Sequence, residues 1–211
     1  MKLNYKRTLL VGFAFLSICA FWQLYDNVIP LILKNTFHMK DSLVGVVMAM
    51  DNVLALFLLP FFGKLSDKCH TKLGRRTPFI LGGTAAAVIL MNILPYADNH
   101  EKLLLFVIPL GLLLIAMGTY RSPAVALMPD VTPKPLRSIN LMGALGGVFT
   151  LGVTGLLVHA GATGRNDYTM LFLAVSLLMA ISVIVLVLTV RENKLAAEVA
   201  AMETDEEKEA E

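Results

Sequence analysis

Charge is scarce in this chain of 211 residues: Asp, Glu, Lys and Arg make up 16% of it, against 56% hydrophobic residues. A soluble globular domain carries about a quarter charged residues, so the balance already argues against one. The net charge is only +2, and the basic residues gather at the ends of apolar runs rather than on one face. That distribution excludes nucleic acid as a partner. The two cysteines, Cys19 and Cys69, are too few and too differently placed for a disulfide scaffold. The four histidines, His38, His70, His100 and His159, do not form metal-ligand spacing. No nucleophile motif or phosphate-binding loop is present, so the sequence predicts neither an enzyme nor a metal or cofactor site.

What the chain has in abundance is long apolar runs. Six of them cover about 9–33, 42–62, 77–96, 103–128, 139–159 and 169–190, and mean hydropathy is +0.70. About 20 apolar residues cross a bilayer as a helix. The first run is longer than a signal-peptide core and lacks a small-residue cleavage site, so it reads as a retained helix. The sequence therefore predicts an all-α integral membrane protein with a domain of six transmembrane helices over 1–190, in contact with membrane lipid. Lys and Arg give its orientation: thirteen of the eighteen fall in the N-terminus, the second and fourth loops and the tail, and four lie on the other side. By the positive-inside rule both termini face the cytoplasm of a multi-pass protein of the cell membrane. Residues 191–211 change character, with eight acidic residues. Leu195, Val199 and Met202 predict a short surface helix there, followed by a solvated acidic end.

Ionisable residues at membrane depth are costly and face a protein interior or a water-filled cavity. Gln23, Asp26, Asn27 and Pro30 share one face of the first helix at i, i+3, i+4 and i+7, with Trp22 and Tyr25 alongside. Amides and a carboxylate beside aromatic rings suit a sugar, whose hydroxyls hydrogen-bond while its C–H face stacks. The alternative is a helix end reaching the outer interface. Asp51, next to Asn52, lies mid-span in the second helix, where it is either protonated or paired across helices. Arg121 lies in the fourth helix beside Tyr120, and it cannot discharge, so it needs an anion or a polar cavity. Helical rise puts Arg121 about 15 Å from the depth of both acids. Asp26 and Asp51 are the candidate proton-coupling groups. Trp22, Gln23, Tyr25, Asn27, Asn52, Tyr120 and Arg121 are the candidate substrate-binding residues. In the fifth helix, Gly143 and Gly147 form a small-xxx-small pair that predicts close helix packing.

The loop after the second helix runs Gly63-Lys-Leu-Ser-Asp67-Lys-Cys-His-Thr-Lys-Leu-Gly74-Arg75-Arg76-Thr-Pro78. A glycine at the helix end permits close approach, Asp67 is positioned to favour a helix N-terminus, and Arg75 and Arg76 can bridge to acids on other helices. Asp130 and Arg137, around the fourth-to-fifth loop, are the natural counterparts, and Asp130 is an available anion for Arg75. Together the two loops resemble the cytoplasmic gate signature of the major facilitator superfamily. The segments Pro60-Phe-Phe-Gly63, Leu73 to Leu81 and Ser122 to Asp130 are similar to the glycoside–pentoside–hexuronide and sucrose–proton symporter branch.

The resemblance implies the N-terminal six-helix half of such a fold, with 191–211 as the start of the central connector. It implies secondary active transport, by alternating access, of a small molecule such as a sugar. Family members join two six-helix halves around the substrate, so a second half, as a homodimer or a separate chain, is expected as partner. Sodium-coupled members carry acids where this chain has Ala55 and Leu59, and the fourth-helix acid falls near Arg121, so the coupling ion reads as H+ rather than Na+. Two alternatives stay open. One is an exporter or other solute carrier on the same scaffold, although the fifth helix lacks the Gly-Pro pair of many antiporters. The other is a truncated or split fragment, inactive without its second half, or a six-helix interaction protein.

Overall fold

A computed structural model describes residues 5–131, 141–160 and 166–210. Its helices are α1 (Tyr5–Asn35), α2 (Asp41–Asp67), α3 (Thr77–Asn99), α4 (Leu103–Val131), α5 (Leu141–Leu157), α6 (Thr169–Thr189) and α7 (Glu192–Ala210). Two short strands, β1 (His159–Ala160) and β2 (Asn166–Asp167), pair antiparallel between α5 and α6. This ladder is the one departure from an all-helical expectation among the described residues. Residues 10–35 of α1, together with α2, α3, α4 and α6, are long and apolar enough to cross a membrane. α5 is apolar but shorter, at 17 residues. The expected start of that span, at 139–140, lies outside the described residues.

α1 lies at the centre, against α4, α5 and α6, while α3 packs between α4 and α6, and α2 leans on α4. The core is built chiefly from one stripe of each of four helices: Phe21, Leu24 and Val28 of α1, Ile80, Met91 and Leu94 of α3, Leu113 and Met117 of α4, and Phe172, Val175 and Met179 of α6. α2 stands apart. Only 6% of its apolar window is buried, against 39% or more for the other four membrane-length segments. Leu56, Phe57 and Phe61 face outward.

Lipid tails are as apolar as leucine, so membrane helices associate through close packing and interhelical hydrogen bonds rather than by hiding apolar surface. Four of the helix pairs here have such a bond. The Tyr120 hydroxyl donates to the Ala14 carbonyl at 2.9 Å and lies against the Ser17 hydroxyl, joining α4 to α1. Thr150 donates to the Ala20 carbonyl at 3.1 Å, joining α5 to α1. Asn92 donates to Ser176 at 3.1 Å, joining α3 to α6. Ser122 donates to the Leu59 carbonyl at 2.8 Å, joining α4 to α2. At the far end of the bundle from the α2–α3 loop, Asp167 accepts from the hydroxyl and amide of Thr169, and these bonds hold its carboxyl below the ordinary range.

The close approach of α5 to α1 falls on Gly146. A Cβ there would lie 2.1 Å from the Leu16 carbonyl oxygen. Gly147 also lies close to α1, where a Cβ would stand 3.3 Å from the Gln23 Cγ, and Gly143 and Gly147 both line an open cleft. The tail is more helical than its sequence predicts. α7 runs for 19 residues, with Val199 buried against the bundle, and the anticipated solvated end is helix as far as Ala210.

Gly146→Ala is expected to cost about 1–3 kcal/mol, because backbone rather than a flexible side chain fills the space. Gly152→Ala, which meets nothing within 4 Å, is its control. Thermal unfolding in detergent separates the two, and equal midpoints would contradict the packing argument.

Candidate functional site

Two places bring the polar residues together. The first is a cleft between α1 and α5, of about 430 Å³, into which α1 presents Cys19, Trp22, Gln23 and Asp26. α5 contributes Gly143, Ala144, Gly147, Val148 and Leu151. Small residues on α5 keep the space open, and α1 supplies the chemistry. Asn27 donates to both the backbone carbonyl and the side-chain oxygen of Gln23, at 2.7 and 2.9 Å. The Gln23 oxygen is therefore engaged, while its Nε2 lies 3.7 Å from where a Gly147 Cβ would stand. Trp22 meets Phe21 and Tyr25 edge-on, with centroids 5.2 and 5.4 Å apart, which fixes its ring plane. Its indole N–H is buried and has no hydrogen-bond partner among the described residues.

Trp22 also lines a much smaller cavity with Asp51, Ala55, Leu59, Gly118 and Arg121. The Arg121 guanidinium carbon stands 5.1 Å from the Trp22 ring centroid, a cation–π contact. Among the described residues no carboxylate forms an ion pair with Arg121. Arg121 and Asp51 line this one cavity although helical rise separates them in depth. A long helical side chain points back toward its helix N-terminus, here toward the depth of Asp51, so both reach one cavity. Asn52 donates to Asp51 at 2.8 Å.

The remaining candidates lie elsewhere. Tyr25 and Tyr120 are 1% and 0% exposed and belong to helix packing rather than to a cavity wall. Asn27 and Asn52 are exposed and act on their neighbours. Cys19 was passed over by sequence reasoning, yet it stands four residues before Gln23 on the same helix face.

The second place is the charge cluster at the α2–α3 loop. Arg76 is buried, at 6% exposure. Its Nη2 pairs with Asp67 at 2.8 Å, its Nη1 donates to Ser66 at 3.1 Å, and its Nε donates to Asp130. Arg75 meets the same Asp130 oxygen at 3.0 Å. Asp130 thus serves both arginines. Gly63 sits where α2 meets α4, with Ser122 Oγ 3.0 Å from the place of a Cβ. Arg137 lies outside the described residues.

Asp67 does not serve a helix N-terminus: it is the last residue of α2. The N-terminus of α3 is capped instead by Glu192, the first residue of α7. Its carboxylate accepts from the backbone N–H of Arg75, Arg76 and Thr77, at 2.9 to 3.1 Å, and from the Thr77 hydroxyl at 2.8 Å. A carboxylate on free N–H groups at the positive end of a helix is strongly favoured. Gly74 makes room for it, with φ at +121° and a hypothetical Cβ 2.0 Å from the Glu192 carboxylate. Nothing in the acidic tail's sequence distinguished Glu192 from its acidic neighbours.

The family model described as Major Facilitator Superfamily matches residues 11–208. The chain belongs to this superfamily. It is accordingly a transporter-family chain and not an enzyme. It is 30% identical over 155 residues to proton-associated sugar transporter A of Mus musculus, covering 65% of this chain and 20% of that protein. The Homo sapiens counterpart is 31% identical over 154 residues, covering 65% and 20%. Sucrose transport protein SUC4 of Arabidopsis thaliana is 29% identical over 136 residues, covering 58% and 26%. The chain thus spans about a fifth to a quarter of the length of these relatives. They agree with the sugar and sucrose branch read from the loop motifs.

Glu192→Ala is expected to destabilise the protein by about 1–3 kcal/mol, since it leaves buried N–H groups of α3 unpaired. Glu192→Gln keeps an acceptor oxygen and should lose less. Thermal unfolding of both variants checks this; an Ala variant as stable as the parent would remove the cap from the account.

Proposed function

We propose that this chain forms one six-helix half of a proton-coupled symporter for a sugar or glycoside, working by alternating access. The observation that carries the reading is the α1–α5 cleft. A carboxylate, an amide and an indole ring line one open volume at membrane depth. Hydroxyl-rich ligands need that combination of hydrogen-bonding groups and a ring to stack on. The printed names of the relatives, which refer to sugar and sucrose transport, support the same class.

In this reading α5 is the sixth membrane-crossing helix, both termini face the cytoplasm of the cell membrane, and α7 begins the connector to the other half. The second half covers the outward faces of α1, α2 and α5. The low burial of α2 supports this, because Asp51 and Asn52 sit on a helix that this chain alone scarcely covers. Membrane lipid covers the rest.

A proton reaches Asp26 or Asp51 from outside and neutralises the carboxylate, so that substrate binds in its place among the polar groups. The two halves then rock about the site and open it inward. The cluster of Arg75, Arg76, Asp67 and Asp130 closes the inner side when the halves are together. Positions 55 and 59 carry no acid, which favours H+ over Na+ as the coupling ion.

Asp26→Asn and Asp51→Asn are expected to abolish accumulation of a glycoside driven by a pH gradient while sparing exchange of substrate for substrate. Radiolabelled uptake and counterflow in proteoliposomes, with the second half supplied, measure both. Accumulation at the parent rate in both variants would overturn the coupling role, whereas efflux of dyes without glycoside uptake would favour an exporter.

A further inference from the structure

A third cavity adjoins the charge cluster described above. It lies between the α2–α3 loop and α7 and measures about 730 Å³. Its α7 wall is a run of small residues, Ala196, Ala197 and Ala200, which leaves it open. Its loop wall is cationic, with His70, Lys72 and Arg75. Asn193 fixes that wall by donating to the Thr71 and Lys72 carbonyls, at 3.0 and 3.4 Å.

The lining contains one acid, Glu192. Its oxygens are turned onto the N–H groups at the α3 N-terminus, so its charge faces that helix end and forms no ion pair with the loop wall among the described residues. Arg75 is shared with Asp130. Lys72 and His70 pair with no acid among the described residues. The His70 Nδ1–H donates to the Lys68 carbonyl at 3.0 Å, which leaves Nε2 for a ligand. A loop wall that carries Lys72 and Arg75, facing the alanines of α7, suits an anion with bulk behind it.

We propose that this cavity binds a phosphate group carried on a larger molecule. The inference does not rest on the sugar reading. The same chemistry has two sources, an anionic phospholipid of the adjacent leaflet or a soluble phosphate ester. Because Arg75 both lines the cavity and holds Asp130, occupancy bears directly on the charge cluster.

The test uses the full chain in lipid nanodiscs. One arm titrates glycerol 3-phosphate into phosphatidylcholine discs by calorimetry. The other reads retained phosphatidylglycerol by native mass spectrometry from mixed discs. Saturable binding in either arm is expected, and the arm that responds names the source. The His70→Gln, Lys72→Gln double variant should weaken binding about tenfold, as loss of charge-assisted contacts predicts. Lys64→Gln, an exposed α2 lysine outside the cavity, should change nothing. Ala197→Trp keeps every charge but fills the space, and should abolish binding. The proposal is overturned if neither arm binds, if the double variant binds like the parent with an unchanged unfolding midpoint, or if Ala197→Trp binds normally.

Discussion

The buried guanidinium of Arg76 has to be neutralised in full, and one end of the molecule is arranged around that requirement. An arginine cannot shed its charge, and a buried charge left unpaired costs several kcal/mol. Ser66 and Asp67 come to it from α2, and Asp130 from α4. Its own backbone N–H is held by Glu192 of α7. Four helices meet at a single residue. None of these contacts is substitutable by a hydrophobic one, because each answers a specific donor.

Away from that cluster the bundle is held differently. Hydroxyls of Tyr120, Thr150 and Ser122 reach backbone carbonyls of neighbouring helices, and Gly146 brings α5 onto the α1 backbone. These contacts are uncharged and short-range, so they fix helix spacing without filling the membrane interior with ions. They also leave room on the α1–α5 side, where Gly143 and Gly147 open a cleft beside Asp26. Rigid packing and an open polar volume are produced by adjacent residues of the same helix.

Much of this was legible in the sequence wherever spacing implied a geometry. Arg75, Arg76 and Asp130 could be paired because each stood at the end of a membrane-length run on the same side. The α1 polar stripe was legible because i, i+3, i+4 periodicity dictates a face. Tyr120 and Tyr25 were not separable from site residues, since an aromatic ring with a hydroxyl suits a buried interhelical bond as well as a ligand. Gly143, Gly146 and Gly147 differ by about 100° of rotation per residue, and which one meets α1 depends on helix crossing, a tertiary property. Glu192 was hidden for a similar reason: its role exists only once α7 folds back onto α3.

α2 has a mechanical character that its neighbours lack. At the loop end it is clamped by Ser122 on Leu59 and by Asp67 on Arg76. At the other end it is held by the buried Val44 and the Tyr25 hydroxyl on the Met48 carbonyl, at 3.5 Å, besides the exposed Lys34–Asp41 pair, which is worth little in water. Between them it is almost bare. It is a rod of 27 residues, roughly 40 Å long, so a tilt of about 5° at the clamp carries its other end roughly 3.5 Å. The charge-clamped end and the least buried span belong to the same helix, and Asp51 lies on that span.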